Sequence, residues 1–341
     1  MRIAVLTGGG DAPGLNAAIR AVVRRALEGG HEVIGVRKGW LGLLDGDVVS
    51  LTRDSVSGIL PRGGTILGTS RTNPFKDDEG GRRVLDTIRR LGMDAIIAIG
   101  GDDTLSVALK LHRMGVRVVG VPKTMDNDVP GTDYTIGFDT AVNVVMEACD
   151  RLHTTAEAHH RVMIIEVMGR DAGWVAGVGG LAGGADVILV PEVPFTIDEV
   201  CETIRRRHER GRTFSIVVVA EGAKPSDFGG QITQDARVDE FGHVRLGGVG
   251  ALLAREVEAR TGYETRVTVL GHLQRGGSPT VFDRVLATRL GVAAVEAVEA
   301  GRFGMMVAVQ GTRIVTVNLE DALSGSKRLD LELYRLSRLF H

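Results

Sequence analysis

The chain has 341 residues, 43% of them hydrophobic and 25% charged, with a formal net charge of −2. That is an ordinary globular balance with ample core-forming material, and it gives no reason to expect binding to nucleic acid or to an anionic membrane surface. Its two cysteines, Cys149 and Cys201, form no CxxC or zinc spacing, and a disulfide framework is excluded.

"MRIAVLTGGG" begins directly as a strand with no charged leader, and no apolar run reaches the about 18 residues of a membrane span. The expectation is a cytoplasmic enzyme with no membrane or nucleic-acid partner. The length suggests two domains. Strand-like runs follow at Arg2–Thr7, Asp94–Gly100, Val116–Pro122, Arg161–Gly169, Asp186–Glu192, Ser215–Gly222 and Thr265–Gly271. Several are apolar almost throughout, as parallel strands covered on both faces are. Helical patterns lie between or after them at Ala17–Leu27, Thr104–Met114, Thr140–Ala156, Ile197–Arg210 and Pro279–Ala300. The alternation predicts an α/β fold of βαβ units with largely parallel sheets. Ligands of such sheets collect beyond the carboxyl ends of the strands, so the polar clusters there are the places to search.

"LTGGGDAPGLNAAIR" reads strand, glycine turn, helix. Its spacing is neither G-x-G-x-x-G nor a P-loop, and it reads equally as a tight turn or a phosphate cradle, with Gly14 or Asn16 near the helix N–H groups. "IGGDDTL" sets two carboxylates, Asp102 and Asp103, directly after two glycines. One acid suffices to cap the helix expected at Thr104. A magnesium ion shared between a carboxylate and phosphate oxygens explains glycines and acids together. "VPKTMDND" ends a third strand. DND suits an Asx-rich turn; it also suits one aspartate as general base and another holding the geometry, with Lys123 beside a phosphoryl group, the parts that phosphoryl transfer needs. Farther on, Arg161, Met168, Gly169, Arg170, Glu221, Arg266, His272 and Arg275 cluster around other strands. Arginine and histidine there suit a sugar phosphate, and glutamate suits sugar hydroxyls.

Taken together, "GGGDAPGLNA", "GGDDTL", "PKTMDND", "TDYTIGFDTA", "EVMGRDAGW" and "TVLGHLQRGGSP" resemble the 6-phosphofructokinase family of bacterial type, in order and spacing, from Met1 to about Thr312. The resemblance implies two similar α/β domains. Residues 1–137, with a return at about 274–323, would bind the phosphoryl donor and magnesium. Residues 138–273, with a tail at about 324–341, would bind fructose 6-phosphate. It places Asp126 as proton acceptor, Asp102 at the metal, Gly10 and Arg71 at the donor phosphate, and Thr124 and Asp128 at the substrate. Met168, Gly169, Arg170, Glu221, His272 and Arg275 fall at the sugar phosphate. Arg161 and Arg266 match arginines that reach a neighbouring subunit's site, which implies a homodimer or homotetramer.

Two positions separate donor types in the family. ATP-using members commonly carry glycine where this chain has Asp103, and many carry glycine at Lys123; pyrophosphate-using members carry the Asp and the Lys. The chain resembles the pyrophosphate branch, which transfers phosphate reversibly to the 1-hydroxyl of fructose 6-phosphate with Mg²⁺. An ATP-dependent phosphofructokinase is the alternative, since Trp40, Phe75 and Lys76 fall near nucleotide-contact positions. A catalytically silent sugar-phosphate sensor should have lost Asp126, Asp102 or Lys123. A dinucleotide-dependent oxidoreductase leaves the DND cluster idle. Arg20, Arg24, Arg53, Arg210 and Arg212 fall near effector-site positions of regulated relatives, where Asp186 and Phe214 depart from the family's residues.

Overall fold

The computed structural model describes residues 1–77, 79–227, 233–238 and 244–340. Seven strands form the larger sheet: β1 (Arg2–Thr7), β2 (Glu32–Val36), β3 (Val48–Leu51), β4 (Ala95–Gly100), β5 (Val118–Pro122) and, after a long excursion, β12 (Met305–Gln310) and β13 (Arg313–Asn318). The excursion contributes β6 (Val162–Val167), β7 (Val187–Leu189), β8 (Ser215–Ala220) and β11 (Thr265–Val269) to a second sheet, and β9 (Thr233–Val238) and β10 (Val244–Leu246) to a two-stranded ribbon.

The larger sheet runs β13-β12-β5-β4-β1-β2-β3, parallel except at the two edge pairs, β12–β13 and β2–β3. Its helices are α1 (Leu15–Glu28), α2 (Trp40–Asp45), α3 (Gly80–Arg90), α4 (Asp102–Arg113) and two from late in the chain, α9 (Val281–Glu299) and α10 (Leu319–Ala322). One core gathers α1 and α9 on one face; a second gathers α2, α3 and α4 on the other. Covered on both sides, β4 is buried at every residue, as the unbroken apolar run "AIIAIG" requires. Helix α9 lies against α1 so closely that a side chain at Gly291 would strike the Ala18 carbonyl.

The smaller sheet, β11-β6-β8-β7, is wholly parallel. It is accompanied by α5 (Phe138–His159), α6 (Trp174–Ala182), α7 (Ile197–Glu209), α8 (Val249–Thr261) and the last helix, α11 (Leu331–Ser337). Strand β11 lies at its edge, and Arg266, Val267 and Val269 are exposed there. The strand expected to reach Glu192 stops pairing at Leu189, because Pro191 offers no ladder donor and steers the residue before it.

The N-termini of three helices converge between the sheets. Asp283, in the first turn of α9, is wholly buried. Its carboxylate accepts from Gly137 N and Thr140 N at 2.8 Å and from Thr140 Oγ1 at 2.6 Å, so it caps α5. Thr280, the cap of α9, donates back to Asp139 at 2.6 Å. Gly14, at the start of α1, has φ +110°, and any Cβ there would sit against Ile136 and Asp283. The two halves are therefore joined by reciprocal caps.

Candidate active site

In the larger sheet, β1 leads to β2 on one side while β4 leads to β5 on the other. The chain thus reverses direction between β1 and β4, and the crevice beyond their carboxyl ends is the expected ligand position. Gly8–Gly10 follow β1, Gly101–Asp103 follow β4, and Lys123 follows β5. Strands β6 and β8 of the second sheet point Met168, Arg170, Asp171 and Glu221 at the same space. A cavity of about 150 Å³ is lined jointly by Gly10, Arg71, Asp102, Asp103, Lys123, Thr124, Asp126, Asp128, Met168, Arg170, Glu221 and Arg275.

The glycines are required by close approach. Thr104 packs between the ends of β1 and β4, and side chains at Gly8 or Gly100 would overlap it. Gly9 adopts φ +76°. A Cβ on Gly10 would lie 2.6 Å from the Arg275 guanidinium. Helix α4 begins at Asp102, two residues earlier than expected from the sequence, and its first turn holds Asp102 and Asp103 with no side-chain cap. Neither acid is spent as an N-cap, and the helix dipole favours both. Asn16 does not line the cavity: its amide donates to Arg62 O and Gly63 O and accepts from Ile66 N, bracing the segment that leads to Arg71.

Lys123 is only 3% exposed. Its ammonium donates to Gly8 O at 3.0 Å and, in a shorter bond, to Gly10 O. An ammonium has three donors, so one remains for an anion. Burial lowers its pKa to about 7, with Arg275 adding to the effect; an anionic ligand would raise it again. The loop after Lys123 closes on itself. Thr135 Oγ1 donates to Thr124 O at 2.6 Å, Thr135 N donates to Asn127 Oδ1 at 3.0 Å, and Asn127 holds φ +52°. The turn sets Asp126 and Asp128 toward the cavity. Burial pushes the Asp126 carboxyl up, while Arg275 and Arg170 pull it down. Asp128 is pushed up to about 7 by burial and by the charges of Asp126 and Asp102.

On the second sheet, Gly222 N donates to Gly169 O at 3.0 Å and Glu221 N to Val167 O at 2.8 Å. Gly169 has φ +138°, and a side chain on Gly222 would collide with the Arg170 carbonyl. This lock fixes Arg170 and Glu221 side by side. Burial pushes the Glu221 carboxyl up to about 7, with Asp126 and Glu166 adding to it. Arg275, expected on the sugar side, reaches across from the short 3₁₀ turn Gly271–Arg275 and donates to Asp11 O at 3.0 Å.

Not all the residues expected from sequence meet here. Arg161, Arg266 and His272 do not line the cavity. Arg161 pairs with Glu264 at 2.8 Å, and Arg266 pairs with the same carboxylate; His272 is exposed. Trp40, Phe75 and Lys76 do not line it either. Trp40 is core, and Phe75 packs on Gly81 beneath the Lys110 ammonium. Asp186, which the resemblance sets near an effector position of regulated relatives, is engaged by Arg207 at 2.6 Å and Ile216 N at 2.8 Å. Besides Gly9 and Gly101 of the glycine turns, the cavity is lined by two side chains not assigned to the site from sequence, Thr104 and Asp171. Their signal was position alone, since each directly follows a strand-end residue already singled out.

A two-lobed α/β cleft with a glycine turn, a lysine and paired acids on one side and Arg and Glu on the other fits the family model described as phosphofructokinase, which matches residues 2–298. The chain belongs to the phosphofructokinase family. It is 56% identical to the pyrophosphate--fructose 6-phosphate 1-phosphotransferase of Amycolatopsis methanolica, over 100% of this chain and 99% of the relative. It is 54% identical to ATP-dependent 6-phosphofructokinase 3 of Streptomyces coelicolor, over 96% of each. Among solved structures, a phosphofructokinase from Saccharomyces cerevisiae superposes with a TM-score of 0.82 at 34% identity, covering 95% of this chain; this chain spans 45% of that longer one. Phosphofructokinases named for different donors thus lie almost equally near in overall identity, and the donor must be argued from particular side chains.

Proposed function

We propose that the protein transfers a phosphoryl group reversibly from pyrophosphate to the 1-hydroxyl of fructose 6-phosphate, giving fructose 1,6-bisphosphate and phosphate. The observation that carries the donor assignment is the joint presence of Asp103 and Lys123 in one small cavity with Gly10 and Arg71. A nucleotide donor would bring its α-phosphate against Asp103. Two like unit charges about 4 Å apart repel by about 4 kcal/mol at an effective dielectric of about 20. Lys123, pinned to the glycine loop, offers its remaining donor to the diphosphate. The cavity also has no aromatic platform among its lining residues, which agrees with a donor that lacks a base.

Residues 1–137 with the return at 274–323 form the donor lobe in this proposal, and 138–273 with the tail at 324–341 the sugar lobe. Asp126, held by its closed loop, takes the proton of the attacking hydroxyl, and Arg170 and Arg275 offset the charge of the reacting groups. Met168, Gly169, Glu221, Thr124 and Asp128 orient the sugar. Among the described residues no group of three acids, histidines or cysteines forms a metal cage. That fits magnesium, which takes most of its oxygens from phosphate and water and needs one or two carboxylates; Asp102 would hold it. Bound there, the ion would neutralise diphosphate charge.

Arg161, Arg266 and His272 belong to this proposal through a second copy of the chain. They stand outside the cavity beside exposed Val267, Val269 and Leu273, with Val281 and Phe282 also exposed on α9. Apolar side chains at an open sheet edge suit a subunit contact, and arginines there would complete a neighbour's sugar-phosphate site in a homodimer or homotetramer. The cytoplasm is the proposed compartment.

An ATP-dependent activity is the alternative that the Streptomyces relative favours. A coupled assay with pyrophosphate and ATP offered separately, on wild type and Asp103→Gly, decides between them. The expected result is a wild type that prefers pyrophosphate and a variant whose donor ratio moves toward ATP by about tenfold, the equivalent of about 1.4 kcal/mol. A wild type that prefers ATP, or a ratio that Asp103→Gly leaves in place, would sink the assignment.

A further inference from the structure

The loop that carries Asp126 and Asp128 is fastened from outside by the end of the chain. Lys327 N donates to Asp128 O at 2.7 Å. The Lys327 ammonium donates to Thr132 O at 2.8 Å and Asp133 O at 2.9 Å. On the other side, Lys327 O accepts from Trp174 Nε1 at 2.9 Å, and the ammonium lies 5.2 Å from the centre of the Trp174 ring. Two residues later, Leu329 N donates to Glu192 at 2.8 Å, and the same carboxylate accepts from Gly173 N at 2.9 Å. Trp174 and Gly173 open α6, directly after the turn that bears Gly169, Arg170 and Asp171.

Residues 327–329 therefore join the Asp128 loop to the start of α6 and are themselves not among the residues that line the cavity. Lys327 is half-buried, and burial lowers its pKa to about 8. A lysine kept desolvated in order to cap two backbone carbonyls is costly to place at random. The carbonyls it caps belong to the far end of the catalytic loop, whose other attachments are to β12: Asp133 N donates to Val309 O at 2.8 Å and Val309 N to Thr132 Oγ1 at 3.1 Å. The start of the loop is seated separately, with Met125 wholly buried in the core of the second sheet; the strap is what ties its far end, residues 128–133, to the start of α6.

We propose that Lys327 is a positioning residue, and that the 327–329 strap holds the loop of Asp126 and Asp128 in register with the turn that carries Arg170. The inference rests on the phosphofructokinase reading of the cleft. Lys327 touches no substrate; it sets the distance between the base and the sugar it acts on. A misplacement of about 1 Å costs up to about 10²-fold in rate.

The test uses the full-length protein as wild type, Lys327→Met and Lys327→Arg. Steady-state kinetics in the pyrophosphate reaction, thermal unfolding and amide hydrogen exchange are followed on the same preparations. The expected result for Lys327→Met is a kcat about 10- to 100-fold lower, an unchanged KM for pyrophosphate, and faster exchange confined to 127–135. Lys327→Arg, which still donates to the carbonyls, should recover most of kcat. A native kcat in Lys327→Met overturns the proposal, as does a loss that merely follows the folded fraction or falls equally on both variants. A wild type inactive with both pyrophosphate and ATP is a failure of the functional reading instead, and the exchange at 127–135 then tests the strap by itself.

Discussion

The two sides of the cleft are built to different degrees by a single chain. On the proposed donor side, the glycine loop, the first turn of α4, Lys123 and the Asp126 loop all line one cavity, with Lys123 nearly inaccessible. On the proposed sugar side Met168, Arg170, Asp171, Glu221 and Arg275 arrive; Arg161 and Arg266 share Glu264 at an exposed edge instead. The difference follows from topology. The proposed donor side lies at a reversal of strand order inside a sheet covered on both faces, whereas the proposed sugar side runs out at β11, an open edge. A site placed at a sheet edge can draw on a second molecule; one placed at a central reversal does not need to.

The sharpest way to break that comparison is Asp126→Asn, which keeps shape and removes the proposed base. General bases contribute about 10²- to 10⁴-fold, so kcat should collapse by that much while KM for fructose 6-phosphate stays near native. Near-native turnover would take Asp126 out of the mechanism and with it the claim that the donor side is complete. A smaller effect is expected from Arg161→Ala, which should raise KM for the sugar phosphate about tenfold, the equivalent of about 1.4 kcal/mol, and leave KM for the donor alone. Mixing Arg161→Ala with Asp126→Asn subunits should restore activity, since hybrid interfaces then hold one intact site; verified hybrids without recovery would mean that each site is built within one chain.

Asp283→Asn lies outside the cavity and should leave turnover least affected. It weakens the reciprocal caps between α5 and α9, and hydrogen bonds to a charged group are worth about 1.5–3 kcal/mol. A stability loss of that order in denaturant unfolding is expected, with the ratio of donor to sugar KM unchanged. A shifted ratio would show that the joint between the lobes tunes the two sides unequally.

Much of this was legible in the sequence because the site sits at strand ends and the strands there are buried on both faces. Runs such as "DAIIAIG" and "SIVVVAEG" announce themselves, and their last residues point at the cleft. What the sequence hid has physical reasons. β3 and β13 are edge strands of mixed burial, so no unbroken apolar run marks them, and β2 is interrupted by Gly35. The spacing around Thr104 hid the start of α4, because a helix that begins on two acids without a side-chain cap carries no capping signature. Arg275 crossing to the glycine loop and Lys327 reaching the Asp128 loop are contacts between segments more than 190 residues apart, and no local pattern encodes them.

The long excursion between β5 and β12 also fixes an order of assembly during synthesis. The smaller sheet draws all its strands from residues 162–269, so it can close as soon as that stretch leaves the ribosome. The larger sheet cannot: β5, every residue of which ends up buried, must wait with one edge open until Met305 and Met306 arrive to pair with it. An unpaired apolar edge is what nascent-chain chaperones and aggregation both act on. The half of the molecule made first is therefore finished last, and slow translation after residue 122 would prolong the interval in which it is vulnerable.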